Sequence, residues 1–264
     1  MVYLKTSRAG MFSGRLDVRF YGRIAVSAER MPILSVLILL YPAILKLMKQ
    51  YTAKKEAVMI GVTAFWAVIL VVLSIRGERE RYGLCAPKKV GRWLVPAVVL
   101  PLANLGFSGY TEIELVEFGG QIVVLLGNVV WEEVLFRGIL LRRFLKNHPP
   151  FFAILVESLL FGCMHLVNIE TYAQISYAAV QAVVAVGVGF WLGVVACESR
   201  SVCWCILAHA CINVSCLTAG PAALPIGITV LQGTVYAAIG VFYFFAGLFY
   251  INKQKKEMCH ETIY

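Results

Sequence analysis

Apolar runs long enough to cross a bilayer recur along nearly the whole chain, and they constrain the fold more than any motif does. Eight are legible: Met31–Met48, Ala57–Ile75, Trp93–Phe107, Phe118–Phe144, Phe151–Val167, Tyr172–Cys197, Val202–Ala219 and Pro225–Ile251. A hydrocarbon core about 30 Å thick takes roughly 20 helical residues to cross. Within it every backbone polar group must be satisfied internally, and no strand-period alternation suggests a barrel. The expected fold is therefore all-α, a polytopic membrane helix bundle of about eight transmembrane helices. The breaks between runs carry Pro, Gly and charge, as in "GERERYG", "CAPKKVGR", "KNHPP" and "GPAALP", the usual punctuation of connecting segments. Only 15% of the 264 residues are charged, against about 25% in soluble domains, which leaves no room for a separate soluble domain.

The net charge of +9 raises the question of nucleic acid, but its placement answers as topology. With the N-terminus inside and eight crossings, 19 of the 24 Lys and Arg fall on the cytoplasmic side: before the first run, in 76–92, at Arg142, Arg143, Lys146 and Arg200, and in the tail. Lys46, Lys49, Lys54, Lys55 and the acidic stretch "TEIELVE" fall opposite, a positive-inside pattern with one discordance after the short first run. The organisation expected is a cytoplasmic segment 1–30, N-terminal transmembrane helices over 31–107, a core over 118–219, a last helix over 225–251 and a cytoplasmic tail 252–264. About thirty mixed residues precede the first run without a small-residue cleavage site after it, so no cleaved signal peptide is expected. Both termini are expected inside, in a prokaryotic plasma membrane, with an organelle or endoplasmic reticulum membrane as the open alternative, the lipid bilayer as a partner and no nucleic acid. Of eight cysteines, Cys163, Cys197, Cys203, Cys205, Cys211 and Cys216 lie in or beside apolar runs without CxxC spacing. They read as small apolar fillers rather than a disulfide framework or zinc site.

The run "NVVWEEVLFRGILLRRF", Asn128–Phe144, breaks this economy. A charged side chain at the centre of a membrane helix costs on the order of 2.5–3.5 kcal/mol on insertion scales, and three fall within six residues. Glu133 and Arg137 are spaced i, i+4 and can pair on one face. Glu132 points about 100° away from Glu133 and has no such local partner. A plain salt-bridge node, or an early helix end, is the bland account. Against it, Phe136, Gly138, Ile139, Leu140 and Leu141 continue the apolar run beyond the charges.

Partners for Glu132 appear in two other runs. The fifth, "FFAILVESLLFGCMHLVN", holds His165 with Phe161 one turn before it; the seventh, "VCWCILAHACINVSCL", holds His209 and Asn213 at i, i+4. Two of the four histidines thus lie in apolar helices. A rise of about 1.5 Å per residue permits all of these groups to share one cavity in the inner half to middle of the membrane.

Burial in a low dielectric disfavours an ionised carboxylate, which suits such a group to take a proton from water and return it. An imidazole beside it can orient the water or share the proton. A second imidazole and an amide on one helix face can stabilise the oxyanion that forms on an attacked carbonyl. These are parts for amide hydrolysis without a covalent intermediate; no GxSxG elbow and no HExxH motif is present.

The same residues resemble a known family. "EEVLFR" fits EExxxR, "FGCMH" fits FxxxH and "HACIN" fits HxxxN, in that order and each on its own expected helix. This is similar to the CPBP family of CAAX proteases and bacteriocin-processing or immunity proteins, related to type II CAAX prenyl endopeptidases. The resemblance covers about Phe118 to Ala219. It implies an intramembrane glutamic endopeptidase acting on a peptide or protein substrate. It implies that Glu132 is the general base assisted by His165, and that His209 and Asn213 form the oxyanion site. Glu133 and Arg137, with Phe161, would support the catalytic helix or contact substrate. No cofactor is required by the resemblance, although Glu132, His165 and His209 are a ligand set that zinc chemistry would accept. One departure stands out: Glu157 lies where relatives carry small residues. It is an ion-pair partner for Arg137, a substrate determinant or a water-facing residue, with a structural role favoured. Two other readings stay open, a non-catalytic immunity or peptide-binding protein and a zinc-dependent membrane metalloprotease. The oligomeric state is not legible.

Overall fold

The computed structural model describes parts of residues 61–69 and then residues 79–87, 91–107, 115–166, 175–217 and 226–261. The first expected run, Met31–Met48, the stretch 1–30 and most of Ala57–Ile75 lie outside the described residues. Among the described residues the structure is helical without strands. A 3-10 turn at Arg92–Val98 leads into α1 (Val99–Phe107). Then come α2 (Leu115–Glu133), a π-helical turn (Val134–Leu140), α3 (Leu141–Asn147), α4 (Pro150–His165), α5 (Ile175–Ser199), α6 (Cys203–Leu217) and α7 (Ile226–Glu261). Six of the eight expected runs are thus seen as helix.

Two described stretches, Ala178–Ser199 in α5 and Val230–Lys253 in α7, are long and apolar enough to cross a membrane; Leu94–Gly106, Pro150–His165 and Cys203–Leu217 are shorter apolar helices. The two long helices play different parts. Helix α5 is the inner element, with Phe190, Trp191, Leu192 and Val195 fully buried, packed most extensively against α4 and α7. Helix α7 is the outer wall and turns Val241, Phe242, Phe245 and Phe249 outward. Where α5 and α7 cross, a methyl on Gly187 would collide with the Gly240 carbonyl; small residues at such a crossing let apolar helices approach without a hydrophobic drive from lipid. The apolar run of α7 ends at Ile251, yet the helix continues to Glu261, because "NKQKKEMCHE" is rich in helix formers and holds no Gly or Pro.

Buried polar groups tie the helices together. Asn104 on α1 donates from Nδ2 to Ser215 Oγ on α6 at 2.7 Å, while Tyr236 on α7 donates to Asn104 Oδ1 at 2.8 Å. Tyr243 donates to the Pro96 carbonyl at 2.7 Å. At the opposite end three separate segments are joined: Arg142 of α3 donates to the Glu80 carbonyl at 2.9 Å, Val202 N–H to the Gly83 carbonyl at 2.9 Å, and Ser201 Oγ to the Cys85 carbonyl at 2.6 Å. These contacts bring Arg79, Arg142 and Arg200 to one end of the bundle.

The expected run Phe118–Phe144 is continuous helix, but its middle is wound as a π turn, closed by the Leu141 N–H to Phe136 carbonyl bond. Such turns cluster at functional sites. The turn is buried, and at Gly138 it meets the main chain of the 79–85 segment: a methyl there would lie 2.7 Å from the Tyr82 carbonyl oxygen. Gly138→Ala is therefore expected to cost about 1–3 kcal/mol through overpacking, read as a lower Tm in detergent. An unchanged Tm would mean that the segment yields freely.

Candidate active site

The site is assembled by α2 with its π turn, α4, α5 and α6 around one buried arginine. Glu133, the last residue of α2, and Arg137, in the π turn, pair through Oε1 and Nη1 at 2.9 Å, both fully buried. This is the local pair expected from their spacing. Arg137 does more than answer Glu133. Its Nη2 donates to the Gly189 carbonyl of α5 at 3.2 Å, and its guanidinium lies 4.4 Å over the Phe161 ring. Its Nε comes to 3.3 Å from Glu157 Oε1, close enough for an ion pair though not aligned as a hydrogen bond. Of the three readings of Glu157, the water-facing one is overturned, since Glu157 on α4 is 0% exposed; its position one helix away from Arg137 makes it the second carboxylate of a buried pair.

His209 on α6 is placed differently from expectation. Its Nδ1 is 2.8 Å from Glu133 Oε1, and its Nε2 is 3.7 Å from Glu132 Oε2. The short bond thus belongs to Glu133, the acid already paired with Arg137, and Glu132 receives only the longer approach. The physical reason is the roughly 100° step between adjacent helical residues, which lets Glu132 and Glu133 straddle one imidazole presented by a neighbouring helix. Because a carboxylate oxygen only accepts, the proton of the short bond sits on Nδ1. Nε2, directed at Glu132, donates only when the ring carries both protons.

His165, at the end of α4, is half-buried and directs Nδ1 to the Phe161 carbonyl at 3.0 Å. A carbonyl also only accepts, so Nδ1 is the protonated nitrogen and Nε2 keeps its lone pair when the ring is neutral. His165 makes no hydrogen bond to a carboxylate among the described residues, but both it and His209 lie within electrostatic reach of Glu132. Phe161 is the hub of the packing, with its ring 4.9 Å from that of His165, 5.9 Å from His209 and 5.0 Å from Phe136. Asn213 lies one turn beyond His209, half-buried, and makes no hydrogen bond to a described residue. Glu132 keeps its side chain 16% exposed and its Oε2 makes no hydrogen bond among the described residues.

Four of the expected residues, Glu132, Glu133, Arg137 and His209, are in direct contact, and Phe161 carries His165 to them. The structure adds one group that sequence reasoning did not place, the Gly189 carbonyl, and puts Glu157 where the ion-pair reading had it, beside Arg137. A methyl on Gly189 would crowd Arg137 Nη2 at 3.3 Å, so "GVGFWLG" was the available signal, glycines where a side chain from another helix must enter. Among the described residues no three His, Cys, Asp or Glu side chains are gathered as a metal ion would need. The site offers a buried acid, two imidazoles of defined tautomer and an amide within one helix turn. These suit activation of water and stabilisation of an oxyanion.

In comparison with known proteins, residues 116–215 match the family model described as "Type II CAAX prenyl endopeptidase Rce1-like". No curated protein and no solved structure is matched.

Proposed function

We propose, from the Rce1-like type II CAAX prenyl endopeptidase domain that this integral membrane protein carries at residues 116–215, that it hydrolyses a peptide bond with Glu132 as general base. The domain belongs to a membrane protease family, and its substrate is accordingly a peptide or protein. In the proposed reaction Glu132 takes a proton from a water oriented by the bare Nε2 of His165, and the oxygen adds to the scissile carbonyl carbon. The oxyanion accepts hydrogen bonds from His209 Nε2–H and from the Asn213 amide. As the C–N bond breaks, the leaving nitrogen takes the proton held by Glu132, giving a carboxylic acid and an amine.

The observation that carries this reading is His209 held between two adjacent glutamates, at 2.8 Å from Glu133 and 3.7 Å from Glu132. With Nδ1–H committed to Glu133, Nε2 is the His209 nitrogen left to face the oxyanion, to which it donates when the ring carries both protons. The asymmetry gives the test. Asn in place of His209 can still donate near the Nδ1 position, whereas Gln reaches nearer the Nε2 position. His209→Asn is expected to lower kcat about 10²–10³-fold, the cost of one oxyanion donor, with Tm near wild type; His209→Gln is expected to keep more of the rate. Wild-type kcat in His209→Asn would remove His209 from the chemistry.

The reading further includes about eight spans with both termini cytoplasmic, in a prokaryotic plasma membrane. The gathering of Arg142, Arg200 and the 79–85 segment at one end supports that orientation. It needs no metal, so cleavage is expected to survive chelation; a stoichiometric zinc whose removal abolishes cleavage would overturn this part.

A further inference from the structure

We propose that Glu157 is a positioning residue: held against Arg137, it fixes the face of α4 that carries Phe161 and His165, and so sets where His165 stands relative to Glu132. The proposal rests on the reaction above, in which His165 orients the attacking water. Ala153, Ile154, Glu157, Ser158, Phe161 and Gly162 form the buried stripe of α4, and Glu157 is its one ionisable member. Glu157, Phe161 and His165 follow one another at i, i+4 and i+8, on one side of the helix. Leu159, Leu160 and Cys163 occupy the other side and are exposed.

Stability alone does not account for this acid. Glu157 is fully buried, and neither of its carboxylate oxygens accepts a hydrogen bond among the described residues; Arg137 Nε faces it at 3.3 Å. Exchanging such a buried ion for an apolar side chain of similar volume is often neutral or stabilising. What the carboxylate supplies is alignment. Arg137 commits Nη1 to Glu133 of α2 and Nη2 to the Gly189 carbonyl of α5, and Glu157 ties α4 to the same guanidinium. Helix α5 leaves room for the arrangement: a methyl on Gly193 would lie 3.5 Å from Glu157 Oε2 and 2.8 Å from Ile154 Cγ2, and one on Gly189 would lie 3.1 Å from Phe161 Cδ1.

His165 depends on this tie because its ring is anchored only to its own helix among the described residues: Nδ1 donates to the Phe161 carbonyl, and the ring packs on that of Phe161. Its place relative to Glu132 therefore follows the rotation and height of α4. Helix α4 packs extensively on α5 and only lightly on the π turn, so the Glu157 carboxylate and the Phe161 ring register it against the segment that bears the two adjacent glutamates. A turn of α4 by about 10° moves a side-chain tip roughly 5–6 Å off the axis by about 1 Å. An error of about 1 Å in a reacting geometry can cost about 10²-fold, and the loss falls on kcat rather than on KM.

The experiment compares, in the full chain, Glu157→Leu, which keeps the bulk and removes the acceptor, with Glu157→Gln, whose oxygen can still face Arg137 Nε. Arg137 retains Glu133 in both, so no cation is orphaned and Tm is expected to stay near wild type. On the peptide that wild type cuts fastest from a quenched fluorogenic library, kcat is expected to fall about 10–100-fold in Glu157→Leu with KM within about twofold, and by about threefold or less in Glu157→Gln. Independently of any substrate, modification of His165 by diethyl pyrocarbonate is read by mass spectrometry against the exposed His148. Its rate is expected to change about threefold or more in Glu157→Leu and to stay at the wild-type value in Glu157→Gln. If Glu157→Leu fails to fold, Glu157→Asp, which draws the carboxylate back by one methylene, takes its place with the same expectations. In a His165→Ala background, Glu157→Leu is expected to lower kcat by less than about threefold further, because the two losses share one route. Where His165→Ala lowers kcat, a Glu157→Leu variant with wild-type kcat or wild-type labelling overturns the proposal, as does a loss that adds in full to that of His165→Ala. A Glu157→Gln variant that falls as far as Glu157→Leu also overturns it, since charge rather than alignment is then at work. Wild-type kcat in His165→Ala alone is a different failure: it removes His165 from the reaction, and the labelling then decides whether Glu157 holds α4.

Discussion

Glu132→Gln is expected to lower peptide cleavage about 10³-fold or more while leaving Tm unchanged or slightly raised. The two halves of this result come from one geometry. Glu132 Oε2 makes no hydrogen bond among the described residues, and its nearest cation-forming group, His209 Nε2, stands at 3.7 Å. Neutralising it orphans no partner and relieves the cost of holding a charge in a low-dielectric site. A general base contributes about 10²–10⁴-fold, and here the same carboxylate also carries the proton to the leaving nitrogen. Its neighbour behaves differently. Glu133 Oε1 is shared by Arg137 at 2.9 Å and His209 at 2.8 Å, so Glu133→Gln is expected to lower Tm as well as rate. Cleavage assays on detergent-purified variants, with Tm measured in parallel, separate the two. Wild-type rates in Glu132→Gln would sink the proposed role.

The contrast between adjacent glutamates was only half legible in the sequence. The i, i+4 spacing of Glu133 and Arg137 made their pairing readable, and the three motifs on three apolar runs made the convergence of α2, α4 and α6 readable too. Which acid takes the short bond from His209 was not, because it depends on how α6 is rotated against α2, and periodicity does not report relative rotation. The π turn was hidden for a related reason: apart from Arg137, Val134–Leu140 is apolar all round, so an extra residue in the turn leaves little phase error to notice. The Gly189 carbonyl has no side-chain signature at all and could be sought only through the glycines around it. Glu157 was visible as a charge in an apolar helix, and its distance to Arg137 selects among the readings it allowed.

Arg137→Met is expected to be the most destabilising single change in the core, by about 3–5 kcal/mol, because it leaves buried carboxylates without their cation. Folded domains have about 5–15 kcal/mol in hand, so a fall in Tm of about 6–20 °C is expected, at about 2–4 °C per kcal/mol. Arg137→Lys is expected to recover part of this, since one ammonium cannot reach Glu133, Glu157 and the Gly189 carbonyl together as the planar fork does. The decisive comparison uses Glu157→Gln. Alone it is expected to be mild, about 1 kcal/mol or less, because Arg137 keeps Glu133 and a Gln oxygen can still face Nε. Combined with Arg137→Met it removes one of the two orphaned charges, so the double variant is expected to be more stable than Arg137→Met alone, with a coupling of about 1 kcal/mol or more. Strict additivity would mean that the 3.3 Å approach of Arg137 to Glu157 contributes nothing. The acid that stands out in "FFAILVES" would then owe its place to something other than that arginine.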